Sequence, residues 1–539
     1  MKNALIQLGG IDITVIAAYV VVLFGVAYWA SFGRKNTKGD NLFLAGKSLG
    51  WFAIGLTMWG TNVGPSMLLA NASSGFSSGI VAGNFSWYAF PFIFLLAFVF
   101  APRYLGAGVS TLPEFMGKRF GSTTRSYIAW YTIATIVISW LALTLFSGGV
   151  FMSQLLGLPM WACIAVLVLV SAAFTMAGGL KAIAYTNVFQ MLLLIGVSVA
   201  LTVAAVVKVG GFGAIAGGTP GSYWNMFQPM SDPEFPWLAI LLGYPIMGVW
   251  FWCTDQSMVQ SVLGAKDLRQ GQMGANFCAW LKLIDIPLFI IPGILCFILL
   301  PGIARPEDAY LSLVQAVFPA GLIGMVVVVM IAALISTIAS ALNSLSTVFT
   351  MDIYAKRYKP NATQQEFNKI GRMVTLAGAV LSVFLALAIT QIQGLSFFNI
   401  FQSVLGFIAP PMAVAFLLSV LWKKTTTRAI NMLLTVGTAF SIGVGCFYLV
   451  LKTLLEGGSA SALVHACAPL TEVHFLLISF FIFVLLAAAT FVLSICKPEA
   501  KNQSTLTINF SVKPNRQVKV AWALLIAVMV VMYIIFNGN

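Results

Sequence analysis

Apolar runs and short polar connectors alternate along this chain fourteen times. The runs fall at 11–32, 50–75, 80–102, 126–154, 159–177, 183–208, 237–263, 272–300, 319–350, 373–391, 395–422, 429–452, 473–495 and 518–536. About 20 predominantly apolar residues suffice to cross the hydrocarbon of a bilayer as a helix. The pattern therefore predicts an all-α membrane protein of about fourteen transmembrane helices. Ten-residue segments of alternating hydrophobicity, which would mark a membrane barrel, do not occur. The first run, Ile11 to Phe32, has full spanning length and no small-residue cleavage site ahead of it, so it reads as an uncleaved helix.

One run departs from the pattern in its middle. Trp51 to Gly75 reads WFAIGLTMWGTNVGPSMLLANASSG, with Gly60, Gly64 and Pro65 at mid-depth beside Thr61 and Asn62. It lies in a window, Ser48 to Pro102, that holds no Asp, Glu, Lys, Arg or His. A helix in hydrocarbon must satisfy its own backbone, so a break is tolerated where protein or a water-filled cavity covers it. Secondary transporters hold ions and substrates at such breaks. A Gly/Pro kink serving only helix packing is the alternative reading.

The connectors sort by charge and so give an orientation. Odd-numbered connectors carry 24 of the 29 Lys and Arg, while Asp232, Glu234, Glu307, Asp308, Glu456 and Glu472 lie in the even ones. Basic connectors stay in the cytoplasm, which predicts that both termini are external. The net charge of +14 follows from this asymmetry and needs no nucleic-acid partner. At 60% hydrophobic and 8% charged residues the chain is far from the soluble average of about 25% charged. Its seven Cys form no CxxC and its two His are isolated, so neither a disulfide framework nor a metal centre is indicated. No phosphate-binding glycine loop and no nucleophile–base–acid set appears, which argues against ATP-driven transport and against an enzyme.

Two five-span blocks, 50–208 and 237–422, can be laid against each other. Each begins with an interrupted helix, the second being LLGYPIMGVWFWCTDQ from Leu241 to Gln256. Five is odd, so the second block starts from the opposite side, as in an inverted repeat with its site near the midplane. The remaining segments are 1–49, an extra N-terminal helix with a cytoplasmic loop; 209–236, an external loop; and 423–539, three C-terminal helices with a cytoplasmic linker at 496–517. Trp51, Trp87, Tyr88 and Trp422 sit near span ends and read as interfacial anchors.

The most informative polar cluster is AALISTIASALNSLS, Ala332 to Ser346. Ser336, Ser340 and Asn343 recur on one helical face, with Thr337 beside Ser336. Hard cations prefer oxygen, so hydroxyls here and carbonyls of Gly60 and Val63 would suit sodium. Close packing of small residues is the competing explanation. Lys282 and Asp285, three apart on one span, are near enough to form an intramembrane charge pair. Asp255, at the end of the second interrupted helix, is expected to pair with a cytoplasmic-side Lys or Arg or to bind a substrate group.

Longer motifs extend this picture. NLFLAGKSLGWFAIG (Asn41 to Gly55), TLPEFMGKRF (Thr111 to Phe120), AGGLKAIAYTNVFQ (Ala177 to Gln190), ISTIASALNSLSTVFTMDIY (Ile335 to Tyr354), FQSVLGFIAPP (Phe401 to Pro411) and FLLSVLWKKTT (Phe416 to Thr426) resemble the sodium:solute symporter family. Within it the chain resembles the sodium/glucose cotransporter branch, from first span to last. The resemblance implies a LeuT-type inverted 5+5 helix repeat with one extra N-terminal and three extra C-terminal helices, and Na+ as coupling ion. It carries the main sodium site onto Gly60, Val63, Ala333, Ser336 and Thr337. It assigns Asn187, with Ser340, to a second sodium or its exit path, but an aspartate common in relatives is Asn187 here. It puts substrate contacts at Asn62, Met67, Ser86, Lys282 and Gln402, and an inner gate at Phe251. Met67 and Ser86 replace longer polar groups of the galactose-binding relative, as do Ala89 and Gly248.

The expectation is thus a sodium-coupled symporter in a cell membrane, importing a small polar solute such as a sugar or polyol, one sodium per substrate. A carboxylate, amino acid, inositol or nucleoside-like solute is the alternative within the class; a channel or a transport-fold sensor is the alternative outside it. The basic, disulfide-poor composition suits a bacterial inner membrane.

Overall fold

The structure, a computed structural model, describes residues 9–32, 44–389, 397–456, 461–498 and 515–537. Helix forms within each of the fourteen apolar stretches. Among the described residues the β contacts are two isolated bridges, Leu49 with Ala265 and Gln228 with Pro236. Among the described residues eleven helices are long and apolar enough to cross a membrane, and Gly10–Leu23 and Met160–Met176 are shorter apolar ones. Most of the linker expected at 496–517 lies outside the described residues.

Contacts between connectors divide the molecule into two faces. On one, Arg119 donates to Trp422 O, Arg125 bonds Asp352 and Met351 O, Arg372 donates to Met176 O, and Lys266 N bonds Leu49 O. On the other, Asp12 accepts from Gly321 N and Gly324 N, Lys208 reaches Ala316 O, and Met226 N bonds Phe536 O. The basic connectors therefore gather on one face, and both ends of the described chain gather on the other with loop 209–236.

The segment Met160–Val209 is helical throughout, at 50 residues. A straight helix of that length would be about 75 Å long. Yet Thr175 donates to Ala339 O at 3.4 Å while Asn187 accepts from Ser336, one turn earlier on the partner helix. Twelve residues of straight helix would hold Thr175 and Asn187 about 18 Å apart. These contacts bring both halves of the stretch, the spans expected at 159–177 and 183–208, against the same turn of the Ser336 helix.

The break in the first interrupted helix has a local cause. Trp51–Asn62 ends, Val63 (φ −85°, ψ 93°) and Gly64 (φ −106°, ψ 164°) are extended, and Pro65–Ser78 resumes. Proline has no N–H to continue the ladder and drives the preceding residue out of helical geometry, yet it is suited to a first helical position. Gly60, expected to contribute to the interruption, lies inside the helix. Its role is close approach: a Cβ there would sit 2.8 Å from Met191 Cγ.

In its most apolar 18 residues Leu322–Tyr358, the helix carrying Ser336, has 78% of positions buried, the highest share among the described membrane-length helices, against 22% for Arg516–Ile535 and 28% for Phe475–Cys496. The C-terminal helices are thus peripheral, and the polar stripe from Ser336 to Thr347 runs through the core. Trp87, read as an interfacial anchor, is instead buried at 2% exposure, with its indole N–H donating to Leu283 O.

Candidate functional site

Three elements converge at the Pro65 break. A helix that ends leaves its last carbonyls without partners four residues on, and the turn before Val63 is such an end in the middle of the protein. Facing it, Ser336 and Thr337 are buried at 1% and 4% exposure, and Ala333 at 1%. Thr337 Oγ1 lies 3.5 Å from Thr61 O, and Thr61 Oγ1 donates to Thr57 O at 2.8 Å and lies 3.2 Å from Ser340 Oγ. The polar stripe therefore meets the broken helix directly. Ser336 donates its hydroxyl proton to Asn187 Oδ1 at 2.6 Å. With the proton turned away, the Ser336 lone pairs are available to a cation, as an ion ligand requires. Asn187, assigned to a second ion or an exit path, is the hydrogen-bond partner of a hydroxyl expected in the main site. Its Nδ2 is buried without a protein partner.

A buried ion pair holds the break from the other side. Lys282 and Asp285 are 1% and 0% exposed and bonded to each other. Lys282 also donates to Asn62 Oδ1 at 2.8 Å and toward Ser86 Oγ at 3.4 Å. Asp285 accepts from Trp59 Nε1 and from Ser86 Oγ, both at 2.8 Å. Trp59 and Asn62 are one helical turn apart, so this pair pins the last turn before the break to the Lys282 helix. Leaving one member unpaired in such surroundings costs about 3–5 kcal/mol.

Beside these groups lies a cavity of about 190 Å3. Asn62, Gly64, Met67, Lys282 and Thr337 line it, so one cavity touches both the ion-pair cluster and a stripe hydroxyl. Its walls are mostly apolar and include six aromatic side chains, Phe85, Trp140, Tyr244, Trp250, Phe251 and Trp252. Phe251 packs on Trp140 with ring centroids 5.3 Å apart, and the Lys282 ammonium sits 5.9 Å from the Trp252 ring. Such faces suit the apolar side of a polar ring or a cation.

Expected contacts are redistributed. Met67, Asn62, Lys282 and Phe251 line the cavity, whereas Ser86 does not, because Asp285 and Lys282 hold it behind the wall. Gln402 lies on the helix Phe397–Leu421, but its side chain is outside the described residues. Two lining groups were missed. Asn71 Nδ2 and Ser139 Oγ are buried, without a protein partner, and on the cavity wall. Buried polar atoms are normally satisfied, so orphans facing a cavity mark groups for water or solute. Asn71 follows the break by two turns and was within reach of a helical-face argument; Ser139 had no local signal.

The second interrupted helix also breaks, and closes its own break. Trp237–Val249 passes through a π-helical turn, Trp250–Thr254, to Asp255, which caps Gln256–Leu263. Asp255 Oδ1 accepts from Ser257 N and Met258 N, and Oδ2 from Trp140 Nε1 at 3.0 Å. The expected pairing with a Lys or Arg is replaced by this cap.

Residues 42–437 match the Sodium:solute symporter family. Sodium/glucose cotransporter 1 of Ovis aries is 32% identical over 516 residues, covering 88% of this chain and 77% of that protein. Sodium/glucose cotransporter 4 of Homo sapiens is 29% identical, covering 90% of this chain and 76% of that protein. Among solved structures, a substrate-bound, outward-open Na+-coupled sialic acid symporter superposes with a TM-score of 0.75 at 18% identity, over 92% of this chain and 100% of that one. A nucleobase-cation-symport-1 family transporter gives 0.52 at 14% identity, over 87% and 98%. These set the fold as LeuT-type, and the chain belongs to the sodium:solute symporter family.

Proposed function

We propose that the protein imports a neutral, polyhydroxylated solute, a sugar or polyol, together with one sodium ion. The observation that carries coupling is Thr337. Its hydroxyl belongs to the polar stripe facing the open break, and it also lines the solute cavity. Sodium held by the carbonyls of Gly60, Val63 and Ala333 and the hydroxyls of Ser336 and Thr337 would fix that wall before solute binds. Ligand shifts population by binding one state better than the other; here the ion favours the state with the cavity formed.

Neutrality of the solute rests on the ion pair. The Lys282 ammonium is already matched by Asp285 and faces Asn62, so no uncompensated charge remains to bind a carboxylate. Polar groups at Asn62, Asn71 and Ser139 among aromatic walls fit hydroxyls on a ring. The names of the sodium/glucose cotransporter relatives favour the same class. In the orientation the basic connectors favour, both termini are external and Phe251 is the inner gate. Blocks 50–208 and 237–422 are then the inverted repeats, in a cell membrane of bacterial type.

One sodium per solute follows from a neutral Asn187. One charge through 100 mV is worth about 2.3 kcal/mol, which is roughly 45-fold accumulation. The test is uptake and counterflow in proteoliposomes over sugars, polyols and carboxylates. Sodium-driven accumulation of a neutral solute with counterflow is expected. A carboxylate as the transported solute defeats the substrate reading, absence of counterflow defeats symport, and a two-sodium reversal potential defeats the stoichiometry.

A further inference from the structure

The N-terminal helix, Gly10–Phe32, lies outside both five-span blocks, yet it touches both helices that form the Ser336–Asn187 bond. At its start Asp12 is fully buried, and its Oδ1 accepts from Gly321 N and Gly324 N, both at 2.7 Å. Its Oδ2 accepts from Gly9 N at 2.9 Å. Those two glycine amides open the helix that carries Ser336, and an N-terminal turn favours a carboxylate. The backbones meet there: a Cβ on Gly324 would lie 2.7 Å from Asp12 Cα and 2.9 Å from Asp12 O. Such an approach leaves no room for sliding.

Two turns further on, Tyr19 reaches the second helix. Its hydroxyl accepts from Gln190 Nε2 at 3.2 Å, three residues beyond Asn187. Its ring stacks on Phe189 with centroids 6.2 Å apart and packs in one cluster with Val328, Ala332 and Ile335. Ile335 is the neighbour of Ser336. Tyr19 is thus wedged where the Asn187 helix crosses the Ser336 helix, and Asp12 fixes the end of the latter. Ser336 turns its lone pairs to sodium while its O–H donates to Asn187 Oδ1, a bond that a shift of about 1 Å between the two helices would break.

We propose that the N-terminal helix is a positioning element of the sodium site, with Asp12 and Tyr19 as positioning residues that hold the Ser336 and Asn187 helices in register. Neither residue lines the solute cavity, so loosening them acts on sodium before solute. This rests on the sodium-site assignment proposed above.

The experiment compares Asp12→Ala, Asp12→Asn and Tyr19→Phe in the full chain. It reads the sodium concentration for half-maximal uptake, the solute KM at saturating sodium, and sodium-dependent thermal stabilisation of the purified protein. Losing one such hydrogen bond corresponds to about a 5-fold change. Tyr19→Phe keeps the ring and is expected to raise half-saturating sodium about 5-fold, and Asp12→Ala at least as much, by the same reasoning. Asp12→Asn keeps the Oδ1 acceptor and is expected to restore most of the sodium affinity. Solute KM at saturating sodium should stay within about two-fold throughout, well below one hydrogen bond's worth. Unchanged half-saturating sodium in Tyr19→Phe, or equal shifts in sodium and solute, overturns the proposal. Should Asp12→Ala fail to fold, Tyr19→Phe decides alone. A wild-type protein that neither responds to sodium in the thermal assay nor transports would instead defeat the function reading.

Discussion

The two interrupted helices look alike in sequence and do opposite things with their breaks. In the first, Pro65 forces Val63 and Gly64 out of the helix, and no side chain caps either half. The exposed carbonyl end meets the hydroxyls of Thr337 and Ser340 through Thr61. In the second, Asp255 caps the next half-helix with one carboxylate oxygen and takes the Trp140 indole with the other. One break keeps its polar groups available, and the other consumes them. Interruption alone therefore does not mark a candidate site; an interruption that faces hydroxyls of another helix does.

Mutation can break that contrast at several points. Replacing both Ser336 and Thr337 by Ala removes the two hydroxyls proposed to hold sodium at the open break. At about 1.5–3 kcal/mol for each bond to a charge, sodium-stimulated uptake should fall on the order of 100-fold or more. Sodium dependence that persists in the double variant would end the assignment. Next in size is the clamp beside that break. Lys282→Met leaves the Asp285 carboxylate buried and unpaired, a loss of about 3–5 kcal/mol. Adding Asp285→Asn removes the charge but keeps an acceptor for Trp59, so the double variant should melt closer to wild type than the single one. If the single variant melts like wild type, the pair does not hold the break.

The capped break predicts a smaller and different effect. Asp255→Ala should cost about 1–2 kcal/mol of stability, the worth of an N-cap, while half-saturating sodium stays where it was. A shift in sodium affinity there would erase the distinction between the two helices. Smallest is the solute wall: Asn71→Ala and Ser139→Ala should each raise solute KM by about 5-fold, one hydrogen bond's worth. Half-saturating sodium should not move, and a KM unchanged in both would remove these groups from the solute site.

The sequence by itself determined what is local or periodic. Apolar length gave where helices form, connector charge gave two faces that the cross-connector bonds reproduce, and Pro65 dictated where the first helix breaks. The stripe at Ser336, Thr337 and Ser340 was legible because a helix repeats every 3.6 residues. The Lys282–Asp285 pair was legible because three residues is one turn. Only the tertiary structure decided which distant groups meet. Nothing near Asn187 announces Ser336, and Asp255 reads as a charge in want of a partner until its own helix supplies one. Ser86 aligned as a solute contact, yet sits behind the wall because the ion pair claims its hydroxyl. Asp12 and Tyr19 lay in a helix that appeared to be an appendage. In each case the partner lies about 100 to more than 300 residues away unless it is the chain's own backbone at a break, and hydrogen-bond pairing over such separations is set by packing, which no local pattern encodes.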